Sequence, residues 1–102
     1  MPRSNSAPNQ QAEWFAAFSE PTRLGLIRAL AAGEKTVTQL ASEINTEIVN
    51  VSHHLKIMKD AELVTAVKDG RFMIYSLVGA AVVKGMLELS HNSGAKVTLP
   101  LE

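Results

Sequence analysis

The strongest constraint on the fold of this chain is a change of hydrophobic period near residue 62. Up to Ala61 the apolar residues recur every three or four positions. From Leu63 onward they sit in two β-prone runs, residues 63–68 and 71–77, on either side of Asp69-Gly70. Asp-Gly between two such runs is a strong hairpin signal, read as a turn in which both residues take φ > 0. A hairpin that directly follows two short helices joined by a tight turn describes a helix-turn-helix with a wing.

The helical part reads in four pieces. Trp14, Phe15 and Phe18 give residues 11–18 one apolar face. Ser19 is placed to cap a second helix, with Pro21 in its first turn, where a missing N–H costs nothing. That helix carries Leu24, Ile27 and Leu30 on one side and stops at Gly33. Thr36 and Gln39 have capping-box spacing and open a third helix with Val37, Leu40, Ala41 and Ile44 as its stripe. Asn45 ends it, and Thr46 is the expected cap of a fourth helix, reaching about Ala61, with Ile48, Val51, Leu55 and Met58 turned inward.

After the hairpin, Val82, Val83, Met86, Leu87 and Leu89 predict a last helix over residues 78–91. The expected architecture is therefore mainly α with a small β-hairpin, in the order α-α-α-α-β-β-α. It divides into a loose arm over 1–10, a domain over 11–92 and a tail over 93–102. The 102 residues, 46% hydrophobic and 20% charged, suit one small globular domain. No apolar run approaches the roughly 20 residues that span a membrane, and the polar start has no signal-peptide core. Both features predict a cytoplasmic protein. Leu101 and Glu102 can be read as a cloning scar. The chain has no cysteine, which excludes disulfides, thiolate metal sites and thiol redox chemistry.

The formal net charge is zero, so any contact with a polyanion must come from local placement of basic groups. A major groove about 12 Å wide admits one helix, and the fourth helix presents a suitable polar face. Asn50 can pair with an adenine edge in two bonds, His53 and His54 can donate to bases or phosphates, and Val49 can meet a thymine methyl group. Ser52, Lys56, Thr38 and Gln39 are candidate phosphate contacts, and Lys68 and Arg71 flank the wing turn. His54 reads equally well as an orienting or capping histidine at the core edge. Glu47, Asp60 and Asp69 lie near this surface and repel phosphate, so modest affinity and a shallow salt dependence are expected.

Three segments carry a family likeness. Ser19-Glu20-Pro21-Thr22-Arg23-Leu24, with Ile27 and Leu30, opens the second helix. Val51-Ser52-His53-His54-Leu55 is followed by Met58 and Ala61-Glu62-Leu63-Val64. Asp69-Gly70-Arg71 leads through Tyr75-Ser76-Leu77. Together these resemble the ArsR/SmtB family of winged-helix bacterial repressors over about residues 14–78, with Glu62 where the family pattern has Gly. The resemblance implies a homodimer that binds double-stranded DNA at a palindromic operator and pairs through its first and last helices. The expected interface is Trp14, Phe15, Phe18, Val82, Val83, Met86 and Leu89, which form more apolar surface than a lone small domain leaves uncovered.

Many members of that family sense metals. Where one known site has Cys-Val-Cys, this chain has Thr36-Val37-Thr38. Where another has Asp, His, His and Glu, the matching positions are Gly79, Ala81, Asn92 and Ala95. The resemblance thus implies DNA binding without either metal site and without a cofactor. Glu88 and His91, three apart on the expected last helix, remain the weak candidate ligands for Zn²⁺ or Ni²⁺, against the commoner reading of an exposed charge pair near a helix end. A winged-helix module that binds protein instead of DNA is the competing function, favoured by the neutral charge. An enzyme has no carboxylate pair, nucleophile–base pair or phosphate loop to rest on.

Overall fold

A computed structural model describes residues 7–101. Four helices come first: α1 (Ala7–Ala16), α2 (Pro21–Ala31), α3 (Val37–Glu43) and α4 (Ile48–Asp60), with a two-residue strand β1 (Lys35–Thr36) before α3. The expected loose arm is helical from Ala7, and residues 1–6 lie outside the described part. Glu20, not Ser19, caps α2, its carboxylate accepting from the N–H of Arg23 at 2.8 Å. Pro21 takes the first helical position, as its fixed φ favours. The Thr36–Gln39 capping box forms in both directions. At α4 the cap is Glu47 and makes no side-chain bond, so Thr46 does not serve there.

Two tight stops place α4. At the end of α3, Asn45 takes φ 56° while Thr46 N–H bonds to Ala41 and Asn45 N–H to Ser42. At the end of α4, Glu62 takes φ 65° while Leu63 N–H bonds to Met58 and Glu62 N–H to Lys59. Both are Schellman stops, which need a left-handed residue to satisfy the last carbonyls. The second throws the chain straight into the wing, β2 (Val64–Asp69) and β3 (Phe72–Leu77). The three strands pair antiparallel in the order β1-β3-β2. Asp69 pairs with Phe72, so the turn residues are Gly70 and Arg71, not Asp69 and Gly70. Only Gly70, at φ 62°, has positive φ there, which is the type II′ arrangement with Gly first.

The expected last helix does not form. Residues 80–100 instead make a second antiparallel sheet, ordered β4-β5-β6, from β4 (Ala80–Val83), β5 (Met86–Ser90) and β6 (Lys96–Pro100). Two glycines explain this. Lys84 and Gly85 take φ 52° and 76°, the paired positive values of a two-residue hairpin turn. Gly79 sits at φ 67°, where a Cβ would lie 2.2 Å from the Ser90 carbonyl oxygen. Each glycine also costs a helix about 1 kcal/mol. The segment 93–102, expected to be a tail, supplies β6, and Leu101 packs against the core.

One core is built from the four helices and from β2, β3, β5 and β6. Trp14, Leu26, Ile27, Leu40, Val51, Leu55, Met58, Leu63, Leu87 and Leu89 are fully buried in it. Trp14 stacks edge-on with Phe18 at 4.8 Å and lies 5.5 Å from the His91 ring. His91 ties the second sheet to α4: its Nε2 is 2.8 Å from Glu62 Oε1 and its Nδ1 is 2.7 Å from Ser93 Oγ.

Glu62 thus holds a strained backbone position in exchange for a side-chain bond to the second sheet. Glu62→Gly and Glu62→Ala both lose that bond, but only glycine accepts φ 65° without strain. Chemical denaturation should find Glu62→Ala less stable than Glu62→Gly by about 1 kcal/mol.

Candidate nucleic-acid interface

The surface built by α3, α4 and the wing is set by what α4 buries. Val51, Leu55 and Met58 are sealed against the core, which turns Val49, Asn50, Ser52, His53, Lys56 and Lys59 outward. Val49 is 82% exposed and stands in the first turn. Ile48, expected in the buried stripe, is half exposed because it lies at the very start of the helix, ahead of the packed turns. A run with two donor–acceptor groups, Asn50 and Ser52, beside an imidazole and an apolar methyl pair can contact base edges along one groove.

His54 is placed differently from its neighbour. It is buried, its ring 5.5 Å from that of the exposed His53. His54 Nδ1 lies 3.0 Å from an Arg23 guanidinium nitrogen and 3.8 Å from Glu20 Oε1. Arginine has no acceptor, so Arg23 donates and Nδ1 accepts, and a neutral ring then carries its proton on Nε2. Arg23 also donates from Nε to the Ala17 carbonyl at 2.9 Å. The geometry therefore removes His54 from the groove-facing set and makes it the orienting histidine at the core edge. Arg23 and Glu20, which the sequence reading gave no role, hold it there. Their only sequence signal was the Glu20-Pro21-Thr22-Arg23 run itself.

The remaining candidates lie on the surface. Thr38 and Gln39 are exposed on α3, where Gln39 Oε1 is occupied by the N–H of Thr36. Lys56 Nζ is 3.3 Å from Asp60 Oδ2, an exposed pair one turn apart. Such a pair is worth about 0.3–0.5 kcal/mol, so it yields readily to a phosphate. Lys68 and Arg71 are exposed at the wing tip. Val67 and Phe72 are exposed on one face of the same hairpin.

The other expected sites change with the fold. Trp14, Phe18 and Leu89 belong to the core of a single chain, and Met86 is partly buried. Phe15, Val82 and Val83 remain exposed, the last two on strand β4 and not on a helix. Glu88 and His91 share no helix face. Glu88 Oε1 lies 4.0 Å from Lys96 Nζ across the sheet, while His91 is buried against Glu62. Among the described residues no three His, Cys, Asp or Glu side chains are grouped to hold a metal ion. Thr36, at a position where the resemblance places a cysteine ligand, spends its hydroxyl on the Gln39 N–H.

Residues 20–66 match the family described as bacterial regulatory protein, arsR family. The chain is similar to the transcriptional repressor SdpR of Bacillus subtilis, 38% identical over 62% of this chain and 70% of that one. It is also similar to a homolog of the transcriptional repressor SmtB from Synechocystis, 41% identical over 81% of this chain, of whose length it covers 63%. Among solved structures, a homodimeric winged helix-turn-helix DNA-binding domain from Mycobacterium bovis, described as a possible ArsR-family transcriptional regulator, superposes with a TM-score of 0.70. That match is 26% identical and covers 76% of this chain and 74% of the other.

The Glu20 carboxyl is held below its ordinary value of 4.5, chiefly by the Arg23 N–H bond, which outweighs the opposing effect of burial; the Arg23 charge and a bond from the Thr22 side chain lower it further. A depressed carboxylate contributes stability above its unfolded value and loses it as pH falls through the folded one. Thermal melts from pH 7 down through 4.5 and below should show a shallower acid loss for Glu20→Gln than for the wild-type chain.

Proposed function

This chain belongs to the ArsR family of bacterial regulatory proteins, and we propose that it acts as a homodimeric repressor. In this reading it seats α4 in the major groove of a palindromic operator without using either metal site of its relatives. The observation that carries the reading is the outward face of α4: Val49, Asn50, Ser52 and His53 stand exposed while Val51, Leu55 and Met58 lock the helix from behind. The flanking Schellman stops support it, because they present the start of α4 and the wing as fixed parts of one surface. Asn50 reads a base edge, Val49 contacts a thymine methyl, and Lys68 and Arg71 reach the neighbouring phosphates or minor groove. Two copies give two half-sites about one or more helical turns apart. The capping role of Thr36 and the separation of Glu88 from His91 support release by a signal other than a metal at those positions.

Fluorescence anisotropy against duplex DNA from upstream of its own gene tests this, run across a salt series with EDTA and then with Zn²⁺ or Ni²⁺. Salt-sensitive, sequence-preferring binding that metal does not change is the expected result. Asn50→Ala should weaken operator binding by about 1–3 kcal/mol and relax the preference at one position. Arg71→Ala should lower affinity on all sequences and reduce the salt slope by about one. Loss or gain of binding on adding metal would contradict the metal-independent part. Absence of sequence preference in every condition would favour the protein-binding module, for which the exposed Val67 and Phe72 on the wing are the supporting observation.

A further inference from the structure

Strand β4 is an edge of the second sheet, and all four of its residues, Ala80, Ala81, Val82 and Val83, are exposed. Its backbone is open in a defined way. Ser90 N–H bonds to the Gly79 carbonyl at 2.9 Å, and the ladder runs Ala80–Leu89, Ala81–Glu88, Val82–Leu87, Val83–Met86. Bonded and non-bonded pairs alternate in an antiparallel ladder. Gly79, Ala81 and Val83 therefore face β5 with their N–H and C=O groups, while those of Ala80 and Val82 point out of the edge.

The other edges are blunted. β1 carries Lys35, β2 ends in Lys68-Asp69, and β6 carries Lys96 and Pro100. Lysine and proline are the usual means of keeping an edge from pairing with another chain. β4 has neither. Beside it runs a groove of about 210 Å³ whose walls include Leu30, Leu77, Ala80, Val82 and Leu87.

We infer that β4 is a dimerisation strand: a second copy of this chain adds its own β4 antiparallel to the first, about a two-fold axis through Ala81. This rests on the dimeric reading above and replaces its helical interface. The occupant follows from self-complementarity. In that register Ala80 stands opposite the partner copy's Val82, and Val82 opposite its Ala80, so each pair exchanges two bonds and four outward groups per strand are satisfied. Ala81 meets Ala81 at the non-bonded position, where side chains come closest and small ones fit. Val82 lies on the same sheet face as the buried Leu87, so the partner's Val82 enters on the groove side. The nearest charges also agree: Glu34 lines the groove and Lys84 follows β4 in the turn to β5, and the two-fold brings Lys84 of one copy toward the groove end of the other. The result is one six-stranded sheet across the dimer, with Phe15, exposed on α1, left outside it.

Sedimentation equilibrium of the full chain, with amide hydrogen exchange of Ala80 and Val82, tests this. Proline at 82 removes only an outward N–H and leaves the β4–β5 bonds in place. The expected result is a wild-type dimer in which the Ala80 and Val82 amides are protected and become fast on dilution. Val82→Pro should weaken the dimer about ten- to a hundredfold through its two lost bonds, and Val82→Lys should give a monomer with unchanged circular dichroism. A wild-type dimer whose Ala80 and Val82 amides exchange as open ones overturns the β4 interface and leaves the dimeric reading standing; so does a dimer that both variants keep. A wild-type chain that stays monomeric at all concentrations overturns both. If either variant fails to fold, the wild-type exchange pattern decides alone.

Discussion

Everything this surface can do depends on how α4 is clamped from behind. Val51, Leu55 and Met58 supply the apolar part of that clamp, and the Arg23–His54 contact at 3.0 Å supplies the directional part. Hydrophobic burial alone fixes which face of a helix is inside but tolerates small rotations. A hydrogen bond from a guanidinium that is itself held by the Ala17 carbonyl does not. The two motifs that carry the family likeness, one opening α2 and one within α4, thus meet where Arg23 and Glu20 hold His54, and Asn50 and His53 take their outward direction from that contact.

The same economy operates at the end of α4. Glu62 occupies a left-handed position that glycine would hold more cheaply, and its carboxylate reaches the buried His91. That contact joins the winged-helix unit to the second sheet. Together with Leu87 and Leu89 in the core and the 5.5 Å approach of Trp14 to His91, it makes residues 78–101 part of the same body as α3, α4 and the wing. Apolar residues expected to wait for a partner, Trp14, Phe18 and Leu89, are used up in this way, which leaves β4 as the uncovered apolar strand of the second sheet.

The winged part was legible in the sequence because its signals are local and redundant. The Thr36–Gln39 box, the stop at Asn45, the Val51/Leu55/Met58 stripe and the Gly70 turn each force one step of the chain. The second sheet was misread because Val82, Val83, Met86, Leu87 and Leu89 satisfy a helical stripe about as well as they satisfy alternation. The deciding residues, Gly79 and Gly85, act through φ and not through hydrophobicity. Strict alternation in Leu87-Glu88-Leu89 and in Val97-Thr98-Leu99, with Lys84-Gly85 as the turn, was the available signal. His53 and His54 could not be separated by composition. Only the position of Arg23, 31 residues away in sequence, tells which of them faces inward.

The most direct test of this account is an amide and imidazole NMR map of the chain titrated with duplex DNA from upstream of its gene. The clamped-helix arrangement predicts large shifts at Val49, Asn50, Ser52, His53 and Arg71, while the His54 ring keeps its Nδ1 unprotonated and its resonances nearly still. A map in which the outer face of α4 stays silent while β4–β6 move, or in which His54 responds as strongly as His53, would contradict it.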